Sequence, residues 1–398
     1  MHTFVNEFSV TAHWDGAFDE TGLQSWAASL RAGLRAPRVS LGLVFMSPRF
    51  FAHAADVLEV LRVHAQIPLL VGCSSPGLIL NHREVEEDAG LVLGLYHLPG
   101  AELRAGHYQQ ADVDAGDRPD FWTRRIAIDP AATNGWLIFA DPFHLDGETW
   151  LRQWNEAYAG LPVVGGLATG AGAESRTQVY LNGDVFEEGL VALSVGGDVQ
   201  LHSVISQGCT PIGEPWTITR AQGNLIQEIG NRPAYQVLAE TFNALPTPQQ
   251  QRAHGNLLVG LVVNEYQEEF QRGDFLIRNL IGGDPNSGVL AVGARPRPGQ
   301  SLQFQCRDAE AATEDLLALL TQARDTLDGR PVFGGCLCVC NGRGRRLFNN
   351  PDHDAAMAQE FFGPLGVTGF FCNGELGPVG SRNYLHGYTA SLALFARK

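Results

Sequence analysis

One pattern recurs three times in this chain and limits its fold more than any other feature. An apolar run leads into a helical stripe, then a second apolar run, a glycine-rich turn and a third apolar run. In the first copy the runs are 39–46, 68–73 and 90–97, with Ala54, Val57, Leu58, Leu61 and Ala65 as the stripe. In the second they are 136–140, 162–164 and 189–195; the stripe is Trp150, Leu151, Trp154, Ala157 and Tyr158, with Asp146 as N-cap. In the third they are 332–340, 366–371 and 388–395, around Ala356, Met357, Phe361 and Phe362. The spacing is regular: Met46 to Gly72 and Ala140 to Gly166 are 26 residues each, and Cys340 to Gly369 is 29.

A single unit of this kind cannot bury its own apolar face, so neighbouring units must share sheets and a core. The expected fold is α/β with α+β character: repeated strand-helix-strand-strand units sharing mixed sheets, helices packed on the outside. Residues 39–97, 134–196 and 332–396 should superpose with one strand order. Beyond the repeats, residues 22–34 read as a helix through Leu23, Trp26, Ala27, Leu30 and Leu34. Residues 100–121 read as linker, and 208–233 as a seam between halves. Pro233 opens a helix. Residues 256–306 carry strands with turns at Gly273, Gly282 and Gly283. Residues 308–326 form a helix with Asp308 near its start and Leu316, Leu317 and Leu320 on one face.

Charge excludes some partners. Lys and Arg number 28 against 43 Asp and Glu, a net charge of −15, and the one Lys is Lys398. Such a surface repels nucleic acid and anionic lipid, so neither is expected as a partner. No apolar run reaches the length of a membrane span, and the N-terminus shows no basic-then-apolar leader. Seven Cys in a chain of this size point to reduced thiols and a cytoplasmic location.

The common cofactor motifs fail. The turns at Gly72, Gly166 and Gly369 lead into strands, not into the helix that a dinucleotide or phosphate loop requires, and no Lys stands where a phosphate loop needs one. No cofactor is expected. Cys336, Cys338 and Cys340 alternate at period two, which puts them on one strand face about 7 Å apart, too far for two to grip one zinc. They should be reduced, metal-free and packed. A catalytic Cys73, Cys340 or Cys372 would need a nearby His such as His386, together with a carboxylate. The Gly-x-Ser-x-Gly elbow is absent around Ser74 and Ser75. What remains are turns dense in Gly, Asn, Ser and Thr, whose backbone groups suit small polar or zwitterionic molecules.

At these turns the chain resembles the FIST family. The N-terminal FIST domain is matched by the strand over 39–47 and by the turn 71–77, with Pro76 where the family form has a small residue. The C-terminal domain is matched by 208–213, by 217–234, by Cys340, Asn341, Gly342, Arg343 and Gly344, by 369–378, and by 385–389. The resemblance runs from about residue 30 to the end. It implies two adjacent domains where the spacing gives three units; a division into 1–207 with two units and 208–398 with one elaborated unit satisfies both. It also implies an intracellular sensor of small ligands such as amino acids. FIST domains often sit beside signalling or F-box modules. None is expected in the roughly thirty residues left over, so the chain would pass its signal to a separate protein or merely sequester a ligand.

The expected site is one pocket made by two adjoining turns. One supplies Cys340, Asn341, Gly342 and Arg343; the other supplies Cys372, Asn373, Gly374 and Glu375. Arg343 is the candidate fork for a ligand carboxylate, Glu375 for an ammonium, and His386 lines the wall. Arg343 and Glu375 pairing with each other is the plain alternative. Small-ligand binding without catalysis is the leading reading. A cysteine-dependent hydrolase or transferase and a pure interaction protein are the others.

Overall fold

The computed structural model describes residues 7–87, 89–170, 176–267 and 269–398. Each repeat contains a parallel inner pair of strands: Leu41–Met46 with Leu70–Ser74, Trp136–Ala140 with Val163–Leu167, and Val332–Cys340 with Val367–Cys372. A closing strand lies antiparallel beside each pair, at Leu91–Tyr96, Leu190–Gly197 and Ala390–Arg397. The strand order closing-inner-inner is the same in all three, as the spacing predicts. Gly72, Gly165 and Gly369 are the equivalent glycines. A Cβ on each would stand 1.7, 1.9 and 1.8 Å from the carbonyl oxygen of Val44, Ile138 and Leu337. The repeat in the second unit is therefore centred on Gly165, one residue before the Gly166 that spacing alone selects.

Each repeat also opens with a lead strand on the far side of its closing strand: Ser9–Trp14, Ala101–Tyr108 and Val199–Ser206. The 100–121 stretch is thus a strand followed by two short helices, Gln110–Asp114 and Phe121–Ile126, and not a linker. Its sequence reads as linker because an edge strand needs few large apolar residues: Glu102 and Arg104 alternate outward while Leu103 and Ala105 pack inward.

The remaining strands are exchanged. After its inner pair each repeat makes a short hairpin, at Leu78–Leu80 with Arg83–Val85, Val179–Leu181 with Asp184–Phe186, and Glu375–Val379 with Arg382–His386. The turns pass through Asn81, Asn182 and Gly380, all at positive φ, which Asn and Gly tolerate best. The first hairpin extends the third repeat's sheet, the second the first's, and the third the second's, giving three six-stranded sheets. A cyclic exchange of this kind binds residues 7–97 to residues 332–397.

Alternating strand residues from all three sheets enter one central core. Phe45, Phe139 and Phe370 meet there with ring centroids 4.8–5.8 Å apart. Volume is balanced within each inner pair: Phe45 opposes Cys73, Phe139 opposes Gly166, and Cys338 opposes Phe370. Each pair holds one large and one small residue, reversed in the third repeat, because the centre has room for three rings. The outward residues meet helices. Val44, Met46 and Leu93 pack on Glu20–Gly33 and Ala54–His64, and Ile138 and Ala140 pack on Gly147–Ala157. Asp146 caps the last of these through the N–H of Thr149, at 3.0 Å.

Packing divides the chain into two compact units. The first holds the chain up to Ile205, Leu317–Leu385 and Thr389–Lys398; the second holds Ser206–Leu316 and His386–Tyr388. The third repeat lies in the same unit as the first two. The second unit contains a small antiparallel barrel. Cys209–Gln222, Ser301–Arg307, Leu257–Val262, Phe275–Asp284, Val289–Val292 and Leu225–Ile229 pair in that order, and the last pairs back with the first. Ile218, Ile229, Val259, Leu290 and Phe304 are among the residues in its core. Helix Ala309–Leu327 buries Leu316 and Leu320, whereas Leu317 is 47% exposed and lies off the expected apolar face.

Candidate functional site

The inner strands of the three repeats end together, and their turns are tied in a ring. The N–H of Thr169 bonds to the Ser74 carbonyl at 2.9 Å, and the N–H of Asn373 bonds to the Leu167 carbonyl at 3.2 Å. The residue that would make the third such bond is Pro76, which has no N–H. The Phe371 carbonyl left over accepts instead from the hydroxyls of Ser75, at 2.7 Å, and Thr169, at 3.1 Å. Ser75 and Thr169 are both buried.

The third repeat departs from the other two at this end. Where they carry Ser47 and Asp141 just past the first inner strand, the third carries Cys340 as that strand's last residue; all three donate their N–H in the same way, to the carbonyls of Gly90, Gly189 and Thr389. Where they carry Ser75 and Ala168, it carries Cys372, and it alone has a carboxylate, Glu375, at the start of its hairpin. The sequence-predicted turns do adjoin. Cys340 and Cys372 are register partners on adjacent parallel strands. The N–H of Asn341 bonds to the Cys372 carbonyl at 3.1 Å, and its side-chain amide donates to Asn373 at 2.9 Å. Gly342 and Gly374 complete the two turns, with Gly342 partly exposed and Gly374 buried.

The charged members do not face a ligand. Arg343 is fully buried, and Asp354 fills its fork, with Nε to Oδ2 at 2.7 Å and Nη2 to Oδ1 at 2.8 Å. The guanidinium also lies over the Phe348 ring. The expected clamp for a ligand carboxylate is therefore a clamp on the protein's own helix His353–Phe362, and the simple alternative of an Arg343–Glu375 pair gives way to Asp354. Burial opposes ionisation of Asp354, but Arg343 outweighs it and holds the carboxyl at about 2. The same helix start is met by Glu84 of the first repeat's hairpin, whose Oε1 accepts the N–H groups of Asp354 and Ala355 at 2.9 and 3.0 Å. Burial, and then Asp354, push Glu84 up to about 8.

Glu375 is equally enclosed. Its Oε2 accepts the N–H of Thr389 at 3.0 Å, and its Oε1 accepts the Cys372 thiol at 3.2 Å. Burial pushes Glu375 up to about 8 and raises Cys372 well above the usual thiol range. His386 is buried at the end of a hairpin strand and belongs to the second compact unit. Cys336 and Cys338 pack in the central core, as their shared strand face predicts. Among the described residues no group of three or more His, Cys, Asp or Glu is arranged to hold a metal.

Sequence reading missed a cleft of about 440 Å³ in the second unit. Arg252 and Arg272 line it with Asp308, Glu310 and Glu314, together with the apolar Ile212 and Leu245. Arg252 lies 3.1 Å from Asp308 and 4.0 Å from Glu310; Arg272 lies 4.0 Å from Glu314. Asp308 also accepts the N–H of Glu310 at 2.8 Å, at the start of helix Ala309–Leu327. Its place before that helix was the one visible signal. The arginines stand 36 to 56 residues from Asp308 in sequence, and spacing does not bring them together.

Fold and site together define a pseudo-threefold α/β scaffold that carries an inserted barrel and small polar or charged recesses. The FIST N domain matches residues 40–232 and the FIST C domain matches 234–378. This chain belongs to the FIST family, whose domains are generally regarded as small-ligand sensors. An uncharacterized protein of Mycobacterium tuberculosis is 35% identical over 369 residues, covering 93% of this chain and 94% of that one. An F-box/LRR-repeat protein of Arabidopsis thaliana is 31% identical over 105 residues, 26% of this chain and 20% of its own. A solved cyanuric acid hydrolase covers 98% of both chains at 9% identity and a TM-score of 0.37, a likeness too low to carry an argument. No described helix is long and apolar enough to cross a membrane.

Proposed function

We propose that this protein binds a small zwitterion of the amino-acid class in the charged cleft of its second unit, without turning it over. The lining carries the reading. Two arginines and three carboxylates line a space of small-molecule size; Arg252 bonds Asp308 at 3.1 Å, while its contact to Glu310 and that of Arg272 to Glu314 are long, at 4.0 Å. The side chains of Arg252 and Arg272 are 53% and 31% exposed, so these pairs contribute little stability and are easily exchanged. A ligand carboxylate takes an arginine fork, and its ammonium takes a released carboxylate. The family's general character supports the same reading. Such a sensor works in the cytoplasm and reports through a separate signalling protein.

Thermal-shift and calorimetric titration with a panel of amino acids and dicarboxylates tests this. A binder raises Tm, and Arg272→Ala weakens it by roughly 1.5–3 kcal/mol, about tenfold or more. If no panel member shifts Tm, the reading fails. If one binds with affinity unchanged in both Arg252→Ala and Arg272→Ala, the ligand lies elsewhere. The partly exposed amide of Asn341 and the exposed amide of Asn373 are then the next groups to vary.

A further inference from the structure

The other departure from threefold symmetry is chemical. At two equivalent turn positions the first repeat has Ser47 and Ser75 and the second has Asp141 and Ala168, while the third has Cys340 and Cys372. These thiols sit opposite each other on adjacent parallel strands and project from the same sheet face. Strands in a sheet lie about 4.8 Å apart, within the roughly 4.4–6.8 Å between Cα atoms that a disulfide accepts. Cys340 is the last residue of its strand, where the backbone can adjust. It is partly exposed, whereas Cys372 is buried. Their environments differ in the way an attacking and a resolving thiol require. The Gly342 N–H points at the Cys340 sulfur from 3.5 Å, and the Arg343 guanidinium interacts electrostatically with it; both favour a thiolate. The Cys372 thiol instead donates to the Glu375 carboxyl at 3.2 Å.

We propose that Cys340 and Cys372 form a peroxide-reactive thiol pair, with Cys340 attacking, Cys372 resolving and Glu375 accepting the proton of Cys372. In the first step the Cys340 thiolate attacks one oxygen of hydrogen peroxide. The O–O bond breaks, the departing hydroxide takes a proton and leaves as water, and Cys340 becomes a sulfenic acid. In the second step Cys372 gives its proton to Glu375 and its sulfur attacks that of Cys340. The S–O bond breaks and a second water leaves, its proton supplied through Glu375. The sum is two thiols and one peroxide giving one disulfide and two waters. Burial pushes Glu375 up to about 8, which suits a group that must both take up and return a proton. The core thiols Cys336 and Cys338 are fully enclosed and should be spared.

The experiment treats the intact protein with one equivalent of hydrogen peroxide, blocks remaining thiols with N-ethylmaleimide and maps the digest by mass spectrometry. A cross-linked peptide joining Cys340 to Cys372, two hydrogens lighter than the reduced pair, is expected. In Cys372→Ser, dimedone should trap a sulfenic acid on Cys340. In Glu375→Gln, sulfenic acid should form at the wild-type rate while closure slows by roughly a hundredfold. Cys340 still fully alkylated after peroxide in the wild-type protein overturns the proposal, as does a cross-link between other cysteines. Equal closure rates in Glu375→Gln and wild type remove Glu375 from it. The wild-type measurement stands even if a variant fails to fold.

Discussion

Glu375 shows how one residue can carry both a cost and a use. Nothing in the hairpin start requires a carboxylate, and burying one without a dedicated cation disfavours its ionised form. Its folded-state value of about 8 lies above the ordinary 4.5, so between these pH values the folded protein holds a proton that the unfolded chain has released. Stability from this group is therefore full below about pH 4.5 and is lost as pH rises through about 8. Glu84 is shifted in the same direction to about the same value and adds to the slope. We predict that urea midpoints fall between pH 5 and pH 8 and that Glu375→Gln flattens part of this decline. A variant with the wild-type slope would show that Glu375 does not titrate in that window.

Among the elements, the inner strand pairs depend most on single residues. Gly72, Gly165 and Gly369 lie against a backbone carbonyl that cannot retreat without breaking the parallel ladder. Gly369→Ala should cost about 3 kcal/mol or more in urea unfolding, since a Cβ there meets the Leu337 oxygen at 1.8 Å. Gly183→Ala is the matched control. Nothing lies within 4 Å of a Cβ at that hairpin turn, and the change should stay within about 0.5 kcal/mol. Similar losses in both variants would mean that the close approach is not what holds the strands. The Phe–Cys and Phe–Gly oppositions obey the same economy of space, and only Phe370 stands on the opposite strand from its counterparts.

For the whole molecule the exchanged hairpins decide what can fold alone. A fragment of residues 1–207 lacks the hairpin Glu375–Val379 with Arg382–His386 that extends its second sheet. It also lacks Phe370 from the central ring cluster and leaves its own hairpin Leu78–Leu80 with Arg83–Val85 without a sheet to join. We predict that this fragment exposes apolar surface, binds a hydrophobic dye and gives poorly dispersed NMR spectra, although it contains two complete repeats. A cooperative, dispersed fragment would show that the first two repeats suffice as a domain.

The sequence by itself determined the three inner strand pairs and the closing strand beside each. Apolar periodicity located the inner strands within about three residues, Asp146 caps its helix as expected, and the strand face shared by Cys336 and Cys338 was legible because period-two alternation is a local property. The adjacency of the turns at Cys340 and Cys372 was legible too, since a short crossover within one repeat makes its two inner strands neighbours. The tertiary structure decided what lies far apart in sequence. It sent each hairpin to another repeat's sheet, gave Arg343 to Asp354 and Glu84 to the same helix start, and gathered Arg252, Arg272 and Asp308 around one cleft. Pairing between strands and between charges depends on which surfaces meet. That is settled only when the three sheets close on a common core, where buried polar groups must find partners inside the protein.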